Sequence, residues 1–196
     1  IRGTEPSNEF LEYLSNIQEK HNIVIIIDEI SAGFRVRLGG AHLNFNYKPD
    51  IAVFSKGLGN GYPIGAIIGK KEVMKAAEKS FISSTYWTER VGYVAALETI
   101  KKYKECNVDQ HLLVLGNKVQ DGWQAVAKGV GLDITVRGLK PMGSFSFNYP
   151  EAAEMKAYFI QLMLEKGILA SNLYYAMYAH TTDDVARYLQ AVAISF

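Results

Sequence analysis

The chain has 196 residues, 48% hydrophobic and 21% charged, with 21 Lys and Arg set against 20 Asp and Glu. That length suits one large domain or one and a half small ones, burying roughly 70% of the extended surface. A net charge of +1 without a basic run argues against nucleic acid or an anionic membrane surface as the main partner. The longest aliphatic run, Ile23 to Ile27, falls far short of the roughly 20 residues that cross a bilayer. The single cysteine, Cys106, can form no internal disulfide and stands in no metal-ligand pattern, and no apolar leader follows a basic start. The expected compartment is the cytoplasm. The sequence opens at Ile1 rather than Met, so a portion of a longer or truncated polypeptide is expected.

In chain order, Phe10, Leu11, Leu14 and Ile17 make one face of a helix over residues 8–20. The β-branched run Ile23 to Ile27 predicts a strand buried on both faces, as in a parallel sheet, stopping at Asp28-Glu29. A second strand, Ile51 to Phe54, ends at Ser55-Lys56-Gly57, and a third, Ala66 to Ile68, precedes a helix through Glu72, Val73, Ala76 and Ala77. Ser83, Ser84, Thr85 and Thr88 stand ahead of a helix whose apolar face is Val91, Val94, Ala95, Leu97 and Ile100; small hydroxyls there read as N-terminal signals. After a polar break at Lys104 to Asn107, Leu112, Leu115, Val119, Trp123 and Val126 share one side of a further helix. Strands at Ile134 to Val136 and Ser144 to Asn148, a helix from Glu151 to Lys166 closed by Gly167, a strand near Tyr175 to Ala179 and a helix opened by Thr182 complete the chain. The expected organisation is an α/β domain over 1–106 followed by a small α+β domain over 107–196.

Ligands of open α/β sheets bind beyond the carboxyl ends of the strands. Asp28 ends the first strand and Lys56 follows the second, so neighbouring parallel strands would open both side chains into one crevice. A lysine there can form a Schiff base with a carbonyl cofactor, and a nearby carboxylate can hold a pyridine nitrogen protonated, the pairing that pyridoxal phosphate requires. The plainer alternative is a solvated lysine and a loop-capping aspartate. Gly57, Gly59, Gly61 and Gly65 allow close backbone approach to a planar ligand, but their spacing matches neither a dinucleotide fingerprint nor a P-loop.

The strings IIIDEISAGFRVRLGGAH, PDIAVFSKGLGNGYPIGAIIG and SSTYWTERVGYVAALETI together resemble the class III pyridoxal-phosphate aminotransferases, within them the glutamate-1-semialdehyde aminomutase-like branch. The resemblance spans residues 1–196 and corresponds to the carboxyl-terminal half of the family's usual length. It implies the aspartate aminotransferase fold type I, here a partial large domain with a mainly parallel sheet plus the small α+β domain. It implies pyridoxal 5'-phosphate as cofactor, Lys56 as its Schiff-base lysine, Asp28 as partner of the ring nitrogen, and Ile30 as the aliphatic residue against one ring face. Thr85 then matches the threonine that donates to the cofactor phosphate of a neighbouring subunit, in a homodimer with a shared active site. The family usually continues after that threonine with a small residue and Asn-Pro, where this chain has Trp87, Thr88, Glu89 and Arg90. Arg35 and Arg37 are candidates for a substrate carboxylate, against the ordinary alternative of surface pairing. Arg137, His42 and His180 receive no role.

Two expectations of different class follow. One is an enzyme that moves an amino group on a small amino acid, keto acid or aldehyde, as a transaminase or an aminomutase. The other is a truncated, non-catalytic α/β module that binds no cofactor.

Overall fold

The computed structural model describes residues 5–196, which divide into two compact units, Pro6–Asp109 and Gln110–Phe196, Glu5 grouping with the latter. No helix among the described residues is long and apolar enough to cross a membrane.

The first unit opens with α1 (Asn8–His21), capped by the Ser7 hydroxyl, which accepts from the Phe10 amide at 3.2 Å, and ended by Asn22 in the left-handed region. Leu11, Leu14 and Ile17 are half-buried as the helical spacing requires, while Phe10 stays at the surface. Three strands follow in spatial order β1 (Ile26–Asp28), β2 (Ile51–Phe54) and β3 (Ala66–Gly69), with β1–β2 parallel and β2–β3 antiparallel. Their amino-terminal approach is tied by Asp50, whose carboxylate accepts from the Ile25 amide at 2.8 Å and from Gln18 of α1 at 2.6 Å and pairs with Lys70 at 2.8 Å. Burial pushes this carboxyl up, but the hydrogen bonds and the Lys70 ammonium outweigh it and hold the group below the ordinary carboxylate range. Beyond the short α2 (Lys71–Met74) and a 3-10 turn over Lys75–Lys79 comes α3 (Val91–Glu105).

The core of this unit is Ala52, Phe54, Leu58 and Ala96, packed by Phe34, Ile64, Ala66 and Ile100. Two sequence expectations are corrected here. The run Ile23 to Ile27 is not buried on both faces: only Ile26 and Ile27 lie in the strand, and Ile26 remains 59% exposed because none of the described residues covers its face of the sheet. On α3 the buried line is Gly92, Ala96 and Tyr103, so Val91, Val94 and Leu97 point outward. Small residues are what let this helix lie close to the sheet, and a count of apolar residues overlooks them.

The second unit has α4, which begins at Val108 and runs to Val130, and an antiparallel sheet of β4 (Ile134–Arg137), β5 (Met142–Phe147) and β6 (Leu173–Tyr175) in that order. Between them in sequence stands α5 (Ala152–Glu165), and the chain ends with α6 (Thr182–Ser195). The buried face of α4 is Leu112, Leu115, Val119 and Trp123, as its spacing predicts. The last strand starts two residues before the expected Tyr175, and α6 is opened by Thr181 rather than Thr182. Thr181 and Asp184 form a reciprocal capping box.

Trp123 is fully buried at the centre, edge-on to Phe145 with ring centroids 5.0 Å apart, and its indole N–H donates to the Tyr188 hydroxyl at 2.9 Å. Trp123→Ala should therefore destabilise this unit by about 3–5 kcal/mol, read from the urea dependence of far-UV circular dichroism. A loss below about 1 kcal/mol would show that the ring is not the centre of this core.

Candidate active site

Parallel pairing of β1 and β2 places Asp28 opposite Val53, and Lys56 lies three residues beyond Val53, at the carboxyl end of the neighbouring strand. Lys56 opens a 3-10 turn (Lys56–Leu58) with its backbone at φ 43°, a left-handed conformation uncommon for a residue with a side chain. Its Nζ donates to the Ser31 hydroxyl at 2.7 Å. Asp28 Oδ1 accepts from the Ile30 amide at 2.9 Å. Asp28 and Lys56 make no ion pair with each other, and both remain exposed. Ile30 is half-buried on the same turn. Asp28, Ile30 and Ser31 thus stand on one turn at the carboxyl end of β1, and Ser31 ties that turn to Lys56 at the end of the neighbouring strand.

The turn carrying Asp28, Ile30 and Ser31 is fixed from beneath by Glu29. Its carboxylate is almost wholly buried, at 1% exposure, and accepts from the Ala41 amide at 2.9 Å and the His42 amide at 2.8 Å. His42 Nδ1 lies 2.6 Å from Glu29 Oε1. A buried carboxylate needs such partners, and here they belong to a loop that folds back over the strand end. Two glycines make this possible. A side chain on Gly40, at φ 128°, would lie 2.9 Å from the Glu29 carboxyl carbon; one on Gly33 would lie 2.8 Å from both the Glu29 carbonyl oxygen and the Phe54 ring. The Gly33 amide donates to that same carbonyl at 2.8 Å, closing the turn.

Thr85 is not part of this rim turn. It lies in the exposed turn 85–88, six residues before α3, and its hydroxyl makes no hydrogen bond among the described residues. The expected hydroxyl signal for α3 is corrected: the helix is capped by a carboxylate. Glu89 Oε1 accepts from the Val91 amide at 2.7 Å, and Oε2 from the Gly92 amide at 3.3 Å and the Tyr62 hydroxyl at 2.9 Å. The hydrogen bonds from the Val91 amide and from Tyr62 help hold the Glu89 carboxyl below its ordinary value, and the hydrogen bond to Glu89 raises the Tyr62 phenol. Of the two arginines, Arg37 donates to the Leu43 carbonyl at 3.1 Å and to Asn44 at 3.2 Å, bracing its own loop, and Arg35 Nε donates to the Ser31 carbonyl at 3.3 Å. His180, in the second unit, stacks on Tyr174 with its Nδ1 3.0 Å from the Tyr174 hydroxyl.

Sequence reasoning missed Ser31, Glu29, Glu89 and Tyr62. Glu89 alone left a usable signal, an acidic residue just ahead of a helical run.

The family model described as aminotransferase class-III matches residues 3–185. A 3-aminobutyryl-CoA aminotransferase of Cloacimonas acidaminovorans is 31% identical over 193 residues, covering 95% of this chain and 47% of that protein. A glutamate-1-semialdehyde 2,1-aminomutase of Thermodesulfovibrio yellowstonii is 30% identical over 203 residues, covering 95% and 48%. Among solved structures, the FumI protein of Sphingopyxis sp. MTA144 in its PLP internal aldimine form superposes with a TM-score of 0.89 at 25% identity, over 95% of this chain and 46% of that one. An omega-transaminase from Sphaerobacter thermophilus superposes with a TM-score of 0.90 at 21% identity, over 98% and 48%, a likeness of fold. The chain spans about half the length of the relatives it matches.

The depressed Glu89 carboxyl sets a pH dependence at the start of α3. Because the folded value lies below the unfolded one, the cap is still in place at the ordinary carboxylate value of about 4.3 and is lost only as pH falls below it, through the lowered folded value. Val91 and Gly92 amide resonances should shift together across that range, and Glu89→Gln should remove the shift and return the Tyr62 phenol towards its ordinary titration. An unchanged Tyr62 titration in that variant would contradict the contact.

Proposed function

The chain belongs to the class-III aminotransferases, and from that premise we propose that the protein transfers an amino group using pyridoxal 5'-phosphate held through Lys56. The observation that carries this reading is the rim itself: an aspartate and a lysine on the carboxyl ends of adjacent parallel strands that do not neutralise one another. The residues fit the group. Asp28 spends one carboxylate oxygen on the Ile30 amide, and its other oxygen makes no hydrogen bond among the described residues, which suits a pyridine N–H. Among the described residues, Lys56 Nζ is held by a neutral hydroxyl alone. When bound, the cofactor supplies an electron sink for the carbanion at the substrate α-carbon.

In this reading Asp28 keeps the ring nitrogen protonated, and Ile30 packs against one ring face. Lys56, whose amine would hold the cofactor, would also take and return the proton at the substrate α-carbon. Thr85 donates its hydroxyl to the cofactor phosphate of a second subunit. Phe81, Tyr86, Trp87, Val91, Val94 and Leu97, all exposed around it, support a homodimer in which that loop crosses to the neighbouring site. With this goes the domain assignment, 1–106 as the carboxyl-terminal part of a large cofactor-binding domain and 107–196 as the small domain, in a cytoplasmic protein. The substrate class is a small amino acid with a keto acid or aldehyde partner, wide enough to include either a transaminase or an aminomutase.

Borohydride reduction of the full-length protein with its cofactor should fix the cofactor to the peptide containing Lys56, and Lys56→Ala should abolish both the attachment and turnover. Asp28→Asn should lower kcat by about 100-fold or more while leaving attachment intact. Attachment that persists in Lys56→Ala, or full turnover in Asp28→Asn, would refute the respective role.

A further inference from the structure

We propose that Ser31 is a positioning residue for Lys56, its hydroxyl receiving the lysine amine whenever that amine is free and keeping it aimed into the rim. The inference rests on the Lys56 reading above and extends it to a residue that carries no role there. The contact is 2.7 Å long, and Ser31 is the only hydrogen-bond partner of Nζ among the described residues.

Three features make the contact more than a chance meeting of two surface side chains. First, the lysine backbone is held at φ 43° by the turn that follows it, where the Asn60 amide donates to the Lys56 carbonyl at 3.0 Å, so the side chain leaves the strand end in a set direction. Second, Ser31 stands on an anchored turn: Asp28 Oδ1 takes the Ile30 amide, the Glu29 carbonyl takes the Gly33 amide, the Ser31 carbonyl takes Arg35 Nε, and Glu29 is buried. Third, the partner is a hydroxyl although a carboxylate stands three residues away. A hydroxyl both donates and accepts, so it can hold Nζ as an ammonium or as a neutral amine, whereas a carboxylate would favour the ammonium alone. A group that must both take and give a proton is served by the former. Asp28 is thereby left for its own partner.

The test uses the full-length protein, with and without cofactor, as wild type, Ser31→Ala and Ser31→Thr. In cofactor-free protein, acetic anhydride labelling of Lys56, followed by peptide mass spectrometry, should be roughly three- to tenfold faster in Ser31→Ala, because the amine has lost its acceptor. Ser31→Thr, which keeps the hydroxyl, should label at close to the wild-type rate. In the loaded enzyme, Ser31→Ala should lower kcat roughly tenfold with KM nearly unchanged and enlarge the isotope effect for an α-deuterated substrate, and Ser31→Thr should recover both. Equal labelling together with equal kcat in Ser31→Ala would overturn the positioning role while leaving the lysine assignment standing. Failure of borohydride to fix cofactor at Lys56 in the wild type would overturn the assignment, and this inference with it.

Discussion

The organisation of the rim depends on one buried charge. Glu29 enters the protein at the end of β1 with its carboxylate shut away from water, and such a group is tolerable only when its lone pairs are filled. Filling them requires the amides of Ala41 and His42 and the His42 ring, so the intervening loop must return to the strand end it left. The return brings Gly40 against the carboxylate and Gly33 against Phe54, contacts that admit no side chain. What the loop gains is rigidity in the segment between, where Ile30 and Ser31 sit and from which Asp28 faces outward.

The two neighbouring acidic residues divide labour by the alternation of a strand. Successive side chains leave a strand on opposite faces, so Asp28 and Glu29 cannot share an environment. One is exposed and keeps an oxygen unengaged; the other is buried and fully engaged. A chemical role asks for the first condition and a structural one for the second. In the proposed reading the Asp-Glu dipeptide thus joins a residue free to meet a ligand to a brace that holds the turn in place.

Much of this architecture was legible in the sequence, because most elements obey a single period. The α4 stripe of Leu112, Leu115, Val119 and Trp123 follows helical spacing and is buried as read, and β2 starts and stops where its apolar run does. Reading failed where packing depends on small residues or on polar side chains from distant loops. Gly92 and Ala96, rather than Val91 and Leu97, face inward on α3, and at Gly92 the close approach of Tyr62 and Ile64 leaves little room for a side chain. The strand at Ile26 looked doubly buried because its residues are β-branched, yet composition reports what a strand can bury and not what stands next to it. Asp28 and Lys56 could be singled out as strand-end residues, while Ser31 could not: nothing local distinguishes it until the turn brings it within 2.7 Å of an amine from another strand.

The cap of α3 bears on how a phosphate would be held near Thr85. A helix start with free amides is an anion site, but the Val91 and Gly92 amides already face the Glu89 carboxylate. A phosphate approaching the same point would meet a negative charge. A phosphate contact from this segment therefore has to come from the exposed turn ahead of the helix, where the Thr85 hydroxyl is uncommitted, and not from the helix dipole. Glu89 also binds Tyr62, which lies in the glycine-rich stretch that follows Lys56, so the same carboxylate ties that stretch to the start of α3. Glu89, in the stretch where the chain departs from the family pattern after Thr85, thus both caps the helix and anchors the chain leaving the lysine.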